Sequence, residues 1–175
     1  KDLRNAYKKK LKDNLIKRLV LDNKKILNIT NSIRKIIKLK DPTDVILEKW
    51  KRPNGLNISK VSIPIGVIAV IYESRPNVTS DVASLCFKSG NSVILKGGSE
   101  AFYSNLILSK LFRKSLRKNR VDENFVQYIN IKKRSVVDFL LTNMKNFIDV
   151  IIPRGGKSLV QKVQKLSSIP IIGHL

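Results

Sequence analysis

The sequence predicts an α/β fold built on a mostly parallel sheet, with a helical layer and a short β-hairpin ahead of it. Two β-branched runs, Val67 to Tyr72 and Ser92 to Leu95, frame a single helical stretch. The alternation of strand and helix then continues to the last residues, and the strands end in polar or Gly-rich loops.

Each element follows from local pattern. Leu11, Leu15, Ile16 and Leu19, then Ile26, Ile29, Ile33, Ile36 and Ile37, recur at helical spacing, with Asp22 or Asn23 as cap and Asp41-Pro42 as stop. Residues 1–49 therefore read as a basic helical layer. Pro53-Asn54-Gly55 is a turn signal between two alternating segments, which predicts a hairpin over 50–62. Val67 to Tyr72 is apolar at every position, as a strand buried on both faces requires. Val78, Val82, Leu85 and Cys86 form one face of a helix that ends near Gly90-Asn91. After Ser92 to Leu95 the pattern predicts helix Ser99 to Leu116, strand Phe125 to Ile129 and helix Lys133 to Thr142. Strand Phe147 to Ile152, helix Gly155 to Leu166 and strand Ile169 to Ile172 complete it. Residues 63–175 thus form a Rossmann-like, nucleotide-binding alternation, and the whole chain reads as one domain.

Composition sets bounds. A chain of 175 residues, 42% hydrophobic, can bury roughly 70% of its unfolded surface. Lys and Arg total 35 against 13 acidic residues, a net charge of +22, which favours anionic partners. These cations are spread among Asn and Ile, as a solvated face would also be. Aromatics are 6% and are not interleaved with Lys on any strand, so a basic nucleic-acid-binding module lacks its stacking platform. A single Cys excludes an internal disulfide and suits a reducing, cytoplasmic setting. The longest apolar run, Ile63 to Tyr72, is well short of the ~20 residues that span a bilayer, and no metal-ligand spacing is present.

Four positions invite chemistry. Lys96-Gly97-Gly98-Ser99-Glu100 lies at a strand's carboxyl end, where open α/β sheets place ligands, although a plain Gly turn reads the same way. Arg154-Gly155-Gly156-Lys157-Ser158 opens a helix whose unpaired N–H groups and dipole would favour an anion. Its GKS ending is not a P-loop, because Ile151 stands where that motif needs Gly. Neither loop is a GxGxxG fingerprint. Asn77 could donate a hydrogen bond to an oxyanion, or simply turn the chain after Pro76. Cys86 lies on an apolar helix face and reads as a small buried hydrophobe; His174 reads equally as a functional group or an ordinary residue at a strand end.

The blocks PIGVIAVIYESRPNVTSDVASLCFKSGNSVILKGGSEA, IDVIIPRGGKSLV and IPIIGHL resemble the gamma-glutamyl phosphate reductase (glutamate-5-semialdehyde dehydrogenase) family of the aldehyde dehydrogenase superfamily. The intervening stretches fall in the same order, so the resemblance covers nearly the whole chain. It implies an aldehyde dehydrogenase-type sheet and NADPH-dependent reduction of gamma-glutamyl phosphate in proline biosynthesis. It further implies that Lys96, Gly98, Ser99 and Glu100 hold the adenosine ribose or its phosphate, and that Gly155, Gly156 and Lys157 meet the cofactor's pyrophosphate. By the same resemblance Asn77 is the oxyanion donor, and His174 falls near the place of a Glu that activates hydrolytic water in many relatives. A homo-oligomer at full length, built with the help of the hairpin strands, is implied, as is functional coupling to glutamate 5-kinase. The family's nucleophilic Cys belongs to a later segment, so the chain is expected to be an internal piece holding most of the cofactor domain and inactive alone. A non-catalytic cofactor-binding remnant would share this sequence.

Overall fold

The computed structural model describes residues 1–173, so His174 lies outside the described residues. Three helices come first: α1 (Asp2–Lys8), α2 (Asp13–Leu19) and α3 (Asn23–Ile37). An antiparallel hairpin follows, β1 (Ile46–Lys51) with β2 (Asn57–Val61). The remainder runs β3 (Val67–Tyr72), α4 (Pro76–Lys88), β4 (Ser92–Gly97), α5 (Phe102–Lys118), β5 (Val126–Tyr128), α6 (Ser135–Asn143), β6 (Val150–Arg154) and α7 (Lys157–Leu166).

The four strands β3 to β6 form one parallel sheet in the order β5-β4-β3-β6. Strand β3 is central because every residue in it is apolar or aromatic, and its alternate residues feed two separate cores. Ile68, Val70 and Tyr72 join Val93, Leu95 and Val126 beneath Ala83 and Cys86 of α4 and Leu116 of α5. Ala69 and Ile71 join Ile151 against Leu140 and Leu141 of α6 and Val163 of α7. Leu95 and Ile151 are each 0% exposed, and burying such a side chain contributes about 1.5–3 kcal/mol. After β5 the chain returns to the far side of β3 to lay down β6, so the strand order reverses between β3 and β6. A crevice opens at the carboxyl edge of such a switch point.

The layout follows the expected α/β alternation, with informative differences. Helix α1 was not foreseen, since DLRNAYK carries no apolar period; Leu3 and Ala6 pack with Ile16, Leu19 and Ala101. Asp22 caps α3 by accepting from Lys25 N–H at 2.7 Å, as expected. Strand β1 begins at Ile46 rather than near Trp50, because pairing extends to Ile46 opposite Val61. Strand β4 runs past Leu95 through Gly97, which pairs with Tyr72. The helix expected from Ser99 starts as a 3-10 turn over Ser99–Ala101, and α5 proper begins at Phe102. Phe147 and Ile148 close the turn after α6 instead of joining β6, their N–H groups both donating to Met144 C=O. The expected strand Ile169 to Ile172 reduces to a single bridge between Ile171 and Ile151, since Pro170 has no N–H to extend a ladder. Among the described residues no helix is long and apolar enough to cross a membrane.

Candidate functional site at the carboxyl edge of the sheet

Three contiguous clefts open at this edge, and Arg18 of α2 borders all of them. The first, about 550 Å³, gathers Lys96, Gly98, Ser99 and Glu100 with Lys132 and Ser158. The second, about 320 Å³, lies at the switch point and holds Glu73, Gly155 and Gly156. The third, about 510 Å³, contains Asn77. Lys157 is exposed at the start of α7 and borders none of the three.

Lys96 is only 7% exposed, and its Nζ donates to Gly97 C=O at 3.1 Å. Burial pushes its pKa below the ordinary lysine value, while the negative charge of Glu100 pulls it back up. Glu100 Oε2 accepts from Ser74 Oγ at 2.8 Å and Oε1 from Ser99 Oγ at 2.9 Å. Burial raises this carboxyl's pKa, but its own backbone N–H, the two serine hydroxyls and nearby Lys9 together outweigh that and hold it low. A buried cation and a braced anion therefore share the first cleft.

The two glycines after Lys96 allow a close approach at the end of β4. What approaches is the chain itself: a Cβ on Gly97 would collide with Asn105 Nδ2 and stand 3.0 Å from Tyr72 Cζ. On Gly98 it would stand 2.9 Å from Glu100 Oε2 and 3.3 Å from Ser74 N. Tyr72 Oη and Thr79 Oγ1 are 2.7 Å apart, and Thr79 Oγ1 donates to Asn105 Oδ1 at 3.1 Å. This buried polar link ties the end of β3 to α4 and α5, and Gly97 of β4 lies against it.

A correction concerns the start of α7. Its N–H groups were expected to be unpaired, yet Gly156 N–H donates to Glu73 Oε1 at 2.9 Å. A carboxylate is a natural occupant of a helix N-terminus, where the dipole favours negative charge. A Cβ on Gly155 would stand 2.7 Å from Glu73 Cδ, so glycine is needed for that approach.

Asn77 is exposed in the first turn of α4, and its Nδ2 donates to Asp81 Oδ2 at 3.1 Å. Cys86 is 7% exposed, and burial pushes its thiol up to about 11. Among the described residues no group of three His, Cys, Asp or Glu side chains could hold a metal ion.

Sequence reasoning missed Glu73, Ser74, Arg18 and Asp2. The first two directly follow a strand ahead of a helix, which is a recognisable ligand position. Arg18 and Asp2 give no local signal. Asp2, 5% exposed, accepts from Tyr103 N–H at 3.0 Å and from Ser104 N–H and Oγ, each at 2.7 Å, thereby capping α5.

No protein-family model matches the chain. The gamma-glutamyl phosphate reductase of Thermodesulfovibrio yellowstonii is 44% identical over 173 residues, which is 99% of this chain and 41% of that protein. The crystal structure of gamma-glutamyl phosphate reductase from Thermotoga maritima superposes with a TM-score of 0.94 at 36% identity, covering 97% of this chain and 41% of its own. A probable aldehyde dehydrogenase from Listeria monocytogenes, 19% identical, shares the fold with a TM-score of 0.67 over 83% of this chain and 31% of its own. The chain thus spans about two fifths of the length of the curated relatives it matches. In sequence and in fold the chain is thus similar to part of the gamma-glutamyl phosphate reductases, and its fold is one that a probable aldehyde dehydrogenase shares.

Proposed function

We propose that this chain supplies the nicotinamide-nucleotide site of an enzyme that reduces gamma-glutamyl phosphate to glutamate-5-semialdehyde and phosphate, a step of proline biosynthesis. The observation that carries the reading is the placing of Lys96 and Glu100 in one cleft at the carboxyl end of β4, beside the start of α7. The chemistry of this cleft suits a phosphorylated nucleotide. Lys132, Arg134 and Lys162 border it as well as Lys96, so cations outnumber the two carboxylates, Glu73 and Glu100. Lys96 would hold the adenosine ribose and its phosphate, with Gly98, Ser99 and Glu100 shaping that pocket. The Gly155 and Gly156 amides, with Lys157 beside them, would face the diphosphate once Glu73 yields its place.

When bound, NADPH supplies the hydride. In this reading a Cys thiolate on a segment outside this chain attacks the acyl carbon, the bond to the phosphate oxygen breaks, and phosphate departs with its electron pair. Asn77 Nδ2 would turn from Asp81 to stabilise the oxyanion, worth about 3 kcal/mol for such a donor. The buried, protonated thiol of Cys86 is unsuited to that attack. The exposed hairpin, with Trp50 43% exposed, supports a role in homo-oligomer assembly. Cytoplasmic location and supply of the acyl phosphate by glutamate 5-kinase complete the proposal.

The test is to run the complete gene product in reverse, oxidising glutamate-5-semialdehyde with NADP+. Turnover should require inorganic phosphate, since the acyl phosphate is the product. Turnover without phosphate would point to a different acyl acceptor, and no turnover would leave a non-catalytic cofactor-binding domain.

A further inference from the structure

The cleft around Asn77 holds a carboxylate that hydride transfer does not use. Asp81 lies one turn further along α4 and is half-buried. Its Oδ2 accepts from Asn77 Nδ2 at 3.1 Å, while its Oδ1 is shielded from solvent and has no hydrogen-bond partner. Among the described residues Asp81 makes no ion pair, and it is the single acid lining this cleft of about 510 Å³. Lys17, Arg18, Lys25 and Arg75 line the same space, yet none of them pairs with it.

Turning Asn77 toward a reacting carbonyl takes away the side-chain donor that Asp81 now has. A carboxylate left without partners in a half-buried setting is costly, so the turn needs a cation or donor to replace the amide. A glutamyl substrate brings one. Side chains four apart on a helix stand on one face with Cβ atoms ~5–6 Å apart. In an extended glutamyl group the α-nitrogen is roughly 5 Å from the acyl carbon, at about 1.5 Å per bond. A substrate whose acyl oxygen meets Asn77 can therefore place its α-ammonium at Asp81. The cations along the rest of the cleft suit the α-carboxylate of the same molecule.

We propose that Asp81 is a specificity residue that accepts the α-ammonium of the glutamyl substrate, and that this contact releases Asn77 Nδ2 to the reacting carbonyl. The proposal rests on the reductase reading above. It makes the amino group a condition for presenting the oxyanion donor, so acyl groups of the same length without that amine are handled poorly.

The complete gene product, run in reverse with NADP+ and phosphate, tests this on two aldehydes: glutamate-5-semialdehyde and glutarate semialdehyde, which lacks only the α-amino group. The parent should favour the amino aldehyde by about tenfold or more in kcat/KM, as a charge-assisted hydrogen bond provides. The difference should appear in kcat as well as in KM. Asp81→Asn, which keeps the shape, should bring the two aldehydes near parity by slowing the amino aldehyde while the glutarate compound does not fall. A partly unfolded variant loses both in equal proportion, so the ratio remains readable. Equal loss on both aldehydes would overturn the proposal by making Asp81 a mere support for Asn77, and so would an undiminished preference in Asp81→Asn. A preference carried by KM alone would overturn the coupling to Asn77. If the parent turns over neither aldehyde, the reductase reading fails by itself. Calorimetric titration with L-glutamate and glutarate then decides: a preference for L-glutamate that Asp81→Asn removes supports the ammonium contact, and no preference overturns it.

Discussion

Glu73 and Gly156, 83 residues apart, are joined by a hydrogen bond of 2.9 Å from the Gly156 N–H to the Glu73 carboxylate. The carboxylate therefore sits at the N-terminus of α7, where the proposed diphosphate would lie. Glu73→Gln keeps the shape and removes the charge. It should lower stability by about 0.3–1 kcal/mol through the lost charge–dipole term. NADPH affinity should rise about fivefold at low salt, because a competing anion is gone. Opposite signs in denaturation and in nucleotide titration are the signature; a parallel loss of both would mean that Glu73 assists binding.

Asp2 ties the first residues of the chain to α5 through three hydrogen bonds with Tyr103 and Ser104. Asp2→Ala leaves those donors unpaired in a half-buried setting. Urea denaturation should show a loss of about 2 kcal/mol. An unchanged midpoint would mean that water replaces the carboxylate at no cost.

Gly97→Ala should also be costly, although alanine is small. The added methyl meets Asn105 Nδ2 and the Tyr72 ring, which are held in the buried Tyr72–Thr79–Asn105 link. Overpacking of this kind costs about 1–3 kcal/mol. A variant as stable as the parent would show that the end of β4 can shift away from α5.

These relationships explain what was legible in the sequence. Strands β3 and β4 and helix α4 show through because each buries a repeating apolar face, and periodicity is a local property. The switch point was not legible, because alternation implies parallel strands but does not say that β6 is laid down on the far side of β3 from β4. The Glu73–Gly156 and Asp2–Ser104 contacts join residues 83 and 102 positions apart, and such pairs leave no period in the chain. Helix α1 was missed for the same reason: its stability comes from Asp2 reaching α5 and from Ala6 packing on Ala101. Lys96, Ser99 and Glu100 were readable as a motif, but Ser74, which joins Ser99 in holding Glu100 ionised, was not.

Cys86 predicts a dependence on alkaline pH. Its thiol is raised from 9.0 to about 11 by burial, so the folded chain keeps a proton that the unfolded chain has lost. The unfolded state binds fewer protons between about pH 9 and 11, and stability must fall as pH rises through that window. The loss should be on the order of 2 kcal/mol, and below pH 9 the thiol makes no such contribution. Cys86→Ala should flatten this part of the pH–stability curve, and the native thiol should react with a disulfide reagent only on unfolding. Rapid labelling of the folded chain would contradict the buried placement.

The most direct measurement is a paired titration of the chain with NADPH and NADH, for the parent and for Lys96→Ala. If Lys96 holds the phosphate on the adenosine ribose, the substitution removes a charge-assisted bond that only NADPH can make. NADPH affinity should fall about tenfold or more, equivalent to roughly 1.5–3 kcal/mol, while NADH affinity changes little. Equal weakening of both cofactors, or binding of neither by the parent, would contradict the assignment of this cleft to the nucleotide.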